Sequence, residues 1–268
     1  MAQTIERFLP PDFLFPTVEG MHDTDKLLRA VGRESAHAVL QPNTVGAAVM
    51  NGSVIPLVYA ASAAMENGQF DIFANRIVFF GSSKVGEEIT LHPHISVNDP
   101  SIIIIEDIAD KLGVLGAFER QFSNTHIQLF APVQKPHTSD LHQKLDNGSD
   151  IKTVLTIDDV WVDSGCGMDE GLTFPGVNST EQDYLTVLQR CSRVGVYTNG
   201  HRTFDQRIAF FERQLLPWVS SESPLFELMM RMEENKRTND PNTVLEIVPE
   251  IMPTIETILR ENPYLYSL

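Results

Sequence analysis

With 268 residues, of which 42% are hydrophobic, the chain has apolar material for one large domain or a domain with an appendage, which excludes a disordered polypeptide. Its 36 acids against 20 lysines and arginines leave a formal net charge of −16, a surface that repels nucleic acid and anionic membrane and attracts basic partners. Two cysteines, Cys166 and Cys191, make no disulfide framework, no apolar run approaches the roughly 18 residues of a membrane span, and the polar start lacks the regions of a signal peptide, so a cytoplasmic location is expected.

Residues Met1 to Gly20 set Pro10, Pro11 and Pro16 among Phe8, Phe13 and Phe15 and read as an extended arm. Asp23 or Thr24 can cap a helix running to about Leu40, with Leu27, Leu28, Val31 and Ala38 on its apolar face, and Gln41-Pro-Asn-Thr44 ends it. Val45 to Met50 reads as a buried strand, Asn51-Gly52-Ser53 as a tight turn, and Pro56 to Met65 as a helix with proline in its first turn. Arg76 to Gly81 and Glu87 to Leu91 read as strands of a hairpin turning at Ser82 to Gly86.

The stretch from Ser101 to Leu115 joins a strand to acids. Ile102 to Ile105 are four consecutive β-branched residues, which suits a central parallel strand covered on both faces. Glu106 and Asp107 follow at its carboxyl end, the end that faces the ligand crevice in open α/β sheets, and a helix runs from about Leu112 to Phe122. A polar strand end capping that helix accounts for the same residues without chemistry. Thr125 to Pro132 is a further strand, followed by Lys135, and Ser139 to Asp150 is a polar loop expected in solvent. After the stretch Asp158 to Glu170, which contains Trp161, helices are expected from about Ser179 or Thr180 to Arg193, and over Phe204 to Leu216, Leu225 to Lys236 and Val244 to Arg260. The fold class is therefore α/β, a largely parallel sheet with flanking helices. The chain divides into an N-terminal arm over 1–22, an α/β domain over 23–176 and a helical C-terminal region over 177–268.

Glu106-Asp107-Ile108-Ala109-Asp110-Lys111-Leu112-Gly113-Val114 resembles the signature of type I phosphoribosyltransferases, most closely the hypoxanthine-guanine group, in which an apolar strand leads into Glu-Asp-x-x-Asp-Thr-Gly-x-Thr. The acidic half matches; the hydroxyls of the second half are replaced. The resemblance implies that Glu106 and Asp107 hold the ribose hydroxyls of phosphoribosyl pyrophosphate and that Asp110 is the general base. It also implies a phosphate cradle at Lys111 to Val114, a pyrophosphate contact at Asn51-Gly52-Ser53, a purine contact from Lys135, stacking by Trp161 and a magnesium ion on Asp169. Where the family has a late arginine, this chain has Pro175.

Two functions follow. The chain reads first as a non-catalytic, acidic member of this fold and a homodimer, which binds an Arg/Lys-rich segment of a partner protein and competes with RNA or DNA without itself binding nucleic acid, in the manner of phage-type inhibitors that mimic nucleic acid. Its negative patch would be Asp140, Asp146, Asp150, Asp158, Asp159 and Asp163, because between Asp140 and Glu170 eight acids face only Lys144 and Lys152. That reading needs no cofactor. The alternative is a purine phosphoribosyltransferase of the salvage type, using phosphoribosyl pyrophosphate and magnesium.

Overall fold

The computed structural model describes residues 18–50, 53–85, 88–98, 100–109, 113–134, 149–156, 224–225, 227–228, 231–232 and 241–265. Its elements are α1 (Val18–Val39), β1 (Thr44–Val49), α2 (Val54–Glu66), α3 (Phe70–Ala74), β2 (Ile77–Val85), β3 (Glu88–Pro93), β4 (Ser101–Ile105), β5 (Ile108–Ala109), α4 (Gly113–Gln121), β6 (His126–Gln134), β7 (Asp150–Thr156), α5 (Asn242–Glu261) and a 3-10 turn (Pro263–Leu265).

Strands lie in the order β3-β2-β1-β4-β6, with β5 and β7 both paired to β6. Every pairing is parallel except the edge hairpin of β2 with β3. The expected parallel α/β sheet is present, and the β-branched run forms its centre. Ile102 and Ile104 face α4 together with Val78, Phe80, Ile127 and Leu129. Ile103 and Ile105 face the opposite layer of α1, α2 and α5. With both faces covered, the strand has no room for a polar alternate position.

Helix α1 buries Leu28, Val31, Gly32, Ser35, Ala36 and Val39, the i, i+3, i+4 stripe of an amphipathic helix. Gly32 permits the contact with α2, since a Cβ there would stand 2.7 Å from the Tyr59 carbonyl carbon. Arg76 Nη1 donates to the Val39 and Gln41 carbonyls at 3.0 and 2.7 Å, closing the end of α1. The turn that follows places Asn43 at φ 57°, a left-handed conformation that asparagine tolerates. Helix α5 buries Ile247, Ile251, Ile255, Ile258 and Leu259 in the same core as α1 and α2, with its internal prolines Pro249 and Pro253 on the exposed side. Leu225, Leu228 and Met232 are buried there too.

Several boundaries differ from the sequence reading. Helix α1 begins at Val18, inside the stretch expected to be extended, and α2 begins at Val54 rather than Pro56. Ser82 to Val85, expected as a turn, continue β2 and pair with β3 as far as Val85 opposite Glu88, because the ladder with β3 outlasts the parallel ladder with β1. Ser149 is buried and Asp150 opens β7, so the end of the supposed solvent loop is a strand start, fixed by the Ser149 hydroxyl donating to the buried Glu119 carboxylate. Strand β7, the short α3 and β5 were not foreseen. Among the described residues, no helix is long and apolar enough to cross a membrane.

Candidate ligand site at the sheet switch point

Chain order reverses between β1 and β4: from β1 the chain moves outward through β2 and β3, and from β4 it moves the other way through β6 and β7. In open α/β sheets the crevice outside the carboxyl ends of two such strands is the ligand site, because the connections leave it on opposite faces. Ser53 stands past the end of β1, and Glu106 and Asp107 follow β4.

The acids do not lie beyond the last ladder bond. β4 pairs with β6 at an offset of 25 residues, Ile105 with Phe130, and β5 resumes at the same offset, Ile108 with Val133. Glu106 N–H still donates to the Phe130 carbonyl at 2.9 Å. Glu106 and Asp107 therefore follow the carboxyl end of β4, as expected, in a two-residue break before the ladder resumes at β5. Ladder on both sides holds the acidic backbone more firmly than a free loop would.

Glu106 is half-buried and Asp107 is buried, with 6% of its surface exposed. Burial pushes the Glu106 carboxyl well above the ordinary carboxylate range, and the Asp107 charge and a side-chain hydrogen bond to Asp107 push it the same way. The Asp107 backbone and the Ser53 hydroxyl pull in the opposite direction. Ser53, with none of its surface exposed, holds its Oγ 3.5 Å from Glu106 Oε2. Chemically, the pair sets carboxyl oxygens side by side, with Glu106 pushed toward its protonated form, which suits a ligand that both gives and takes hydrogen bonds, as two adjacent hydroxyls do. Sequence reasoning had Ser53 only as part of a phosphate-contacting turn; its position one residue before a helix that follows a buried strand was the available signal.

Asp110, Lys135, Trp161, Asp169, Asp140, Asp146, Asp158, Asp159 and Asp163 lie outside the described residues, as do Asn51, Gly52, Lys111 and Leu112. Asp150 is half-buried at the start of β7, opposite Gln128 of β6. Among the described residues, no group of three or more His, Cys, Asp or Glu side chains could hold a metal ion.

The hairpin is a second polar region. Ser83 Oγ lies 2.9 Å from His92 Nε2, and Phe79 N–H donates to His94 Nδ1 at 3.0 Å. Burial lowers the His94 pKa, against the opposing effect of the Phe79 backbone, which favours the neutral ring that bridges β2 to the end of β3. The hairpin also rests on α4: Arg120 Nη2 donates to the Ile89 carbonyl at 3.3 Å, and the Ile89 side chain sits over Gly113.

No protein-family model matches the sequence, and no curated protein matches it. Among solved structures, the chain is similar to a hypoxanthine phosphoribosyltransferase from Staphylococcus aureus, at 15% identity over 53% of this chain and 76% of that one with a TM-score of 0.36. It is also similar to a purine phosphoribosyltransferase from Pyrococcus horikoshii, at 14% identity over 50% and 86% with a TM-score of 0.32. An adenine phosphoribosyltransferase from Thermoanaerobacter pseudethanolicus is 14% identical over 59% and 100%, with a TM-score of 0.33. Likeness this distant carries no argument about residues or activity; the parallel sheet and its switch point stand on the strand order and register.

Proposed function

We propose that the chain binds a ribose-phosphate ligand of the phosphoribosyl pyrophosphate class where β1 and β4 part, and that its transfer of the phosphoribosyl group to hypoxanthine or guanine is very slow or undetectable. The observation that supports binding is the convergence of Ser53, Glu106 and Asp107 at the switch point, from elements 53 residues apart in sequence. The acid pair takes the ribose hydroxyls: a protonated Glu106 donates to one oxygen while the remaining carboxyl oxygens accept from both. Its negative charge also stabilises the positive charge that develops on a ribose ring as pyrophosphate departs. Asp110 is the proposed base for the purine proton, Lys135 and Trp161 the proposed purine contacts, and Asp169 the proposed magnesium acid. A carboxyl pair in which Glu106 is pushed toward its protonated form fits a sugar better than a divalent cation.

Slow transfer follows from the phosphate side of the motif. Lys111 to Val114 supply no hydroxyl, and Pro175 stands in place of an arginine. Each missing charge-assisted contact weakens substrate or transition-state binding by about 1.5–3 kcal/mol, and several together remove powers of ten in rate. What remains at the start of α4 is Gly113 and the free N–H groups of a helix, with Lys111 two residues earlier in sequence. Calorimetric titration with phosphoribosyl pyrophosphate and magnesium tests the proposal. Saturable binding by wild type, weakened tenfold or more by Asp107→Asn, is expected; no heat from wild type at millimolar ligand contradicts it. Robust turnover abolished by Asp110→Asn in a folded variant would overturn the slow-transfer part.

A second reading is favoured by the charge. Eight acids against two lysines between Asp140 and Glu170 suit a basic protein segment as partner, one for which RNA or DNA would compete, and a homodimer would present the patch twice. It needs no contact at Glu106, so the two readings are separable by experiment.

A further inference from the structure

Ser53 occupies the position before α2, where a serine ordinarily turns its hydroxyl onto the first free N–H groups of its own helix. Here the side chain makes no such bond, and the backbone is already helical, at φ −75° and ψ −16°. The residue has no exposed surface, so water is not an alternative partner, and a buried hydroxyl left unmatched is destabilising. Glu106 Oε2, just past the end of the neighbouring strand β4, stands 3.5 Å away. That is longer than the roughly 2.7 Å of a settled O–H···O bond, so the pair is poised to tighten when Glu106 becomes ionised.

The geometry points to Ser53 as a positioning residue that ties the start of α2 to the acid pair and aims the Glu106 carboxyl at the ligand's hydroxyls. The assignment rests on the ribose-phosphate reading of the crevice. A ligand anion drawn toward the start of α2 acts on Ser53, and Ser53 acts on the acid that holds the sugar, so the two halves of one ligand are sensed together. Among the described residues, Asp107 is the titratable group facing Glu106, and Ser53, just before α2, also contacts it. Since the hydroxyl favours the ionised form of Glu106 and Asp107 disfavours it, removing the hydroxyl changes a titration, whereas a purely space-filling serine would not.

Carbon-13 titration of the glutamate carboxyls in the full-length protein reads this directly, with Ser53→Ala and Ser53→Cys beside wild type. The Glu106 midpoint moves up by about half a pH unit or more in both variants. Superimposed Glu106 curves in wild type and a folded variant overturn the proposal; if alanine prevents folding, cysteine, which keeps the volume, decides. In a second arm, phosphoribosyl pyrophosphate is titrated into wild type and Ser53→Cys across the same pH range. The pH at which affinity changes should move upward with the carboxyl midpoint, and an unmoved profile contradicts the positioning role. If wild type binds no phosphoribosyl pyrophosphate, the ligand reading fails and the aiming role fails with it, while the carboxyl titration still decides whether Ser53 controls Glu106.

Discussion

Glu106 carries a penalty that the unfolded chain does not, because burial and the Asp107 charge both oppose its ionisation. Its folded pKa is raised above the ordinary 4.5, so between that value and the raised one the native state retains a proton that the unfolded chain has released. The sign follows: this contribution to stability is fully present below about pH 4.5 and is lost as pH rises through the folded pKa, at up to about 1.4 kcal/mol per pH unit. Glu106→Gln, which cannot ionise, should lose that slope and gain stability relative to wild type as pH rises. Urea unfolding of both proteins at a series of pH values measures it, and parallel curves would mean that the carboxyl is not held neutral. The acid pair was legible in the sequence because four isoleucines announce a buried strand beside it. The role of Ser53 was not legible, because its partner lies 53 residues away and only the sheet topology brings them together.

Among the elements, α1 and α2 depend on a single missing side chain. A methyl group at Gly32 would meet the Tyr59 carbonyl carbon and oxygen at 2.7 and 2.8 Å, backbone atoms that cannot rotate away. Gly32→Ala should therefore destabilise by about 1–3 kcal/mol through overpacking, although alanine favours an isolated helix by about 1 kcal/mol. A lower urea midpoint is the expected result; a higher one would mean that the helices move apart without loss. The same helices hold the C-terminal turn, where the Leu265 carbonyl accepts from Ser62 Oγ at 2.6 Å and Arg29 Nη1 at 2.7 Å. Periodicity found Leu28 and Val31 of the apolar stripe of α1, with Ala38 at its half-buried edge, but not its glycine, because close approach is a property of two helices together. It also ended β2 too early, since Ser82 and Ser83 look like turn residues and only their ladder with Leu91 and Thr90 keeps them extended. The run Ile151-Lys-Thr-Val-Leu-Thr156 passed unnoticed beside the polar loop, yet as β7 it extends the parallel sheet beyond β6.

At the scale of the whole molecule, α5 returns about 200 residues after β1 in sequence to complete the core on one face of the sheet. The net charge of −16 has its own consequence. If the acids between Asp140 and Glu170 form a docking patch, an Arg/Lys-rich RNA-binding peptide should bind faster and more tightly than a scrambled peptide of equal charge. Both should weaken steeply with salt, since exposed charges are screened over about 10 Å at 0.1 M. Replacing Asp146, Asp150, Asp158 and Asp159 by lysine should abolish the difference between the peptides. Equal, weak binding of both by wild type would reduce the acidity to a solubility device.

A crystal structure of the protein with phosphoribosyl pyrophosphate tests the central claim most directly, because it locates the ligand rather than inferring it from affinity. The ribose hydroxyls should lie within about 3 Å of the Glu106 and Asp107 carboxyl oxygens, with Ser53 Oγ closer to Glu106 than the present 3.5 Å. Ligand bound elsewhere, or a crevice at β1 and β4 that stays empty at saturating concentration, would contradict the account.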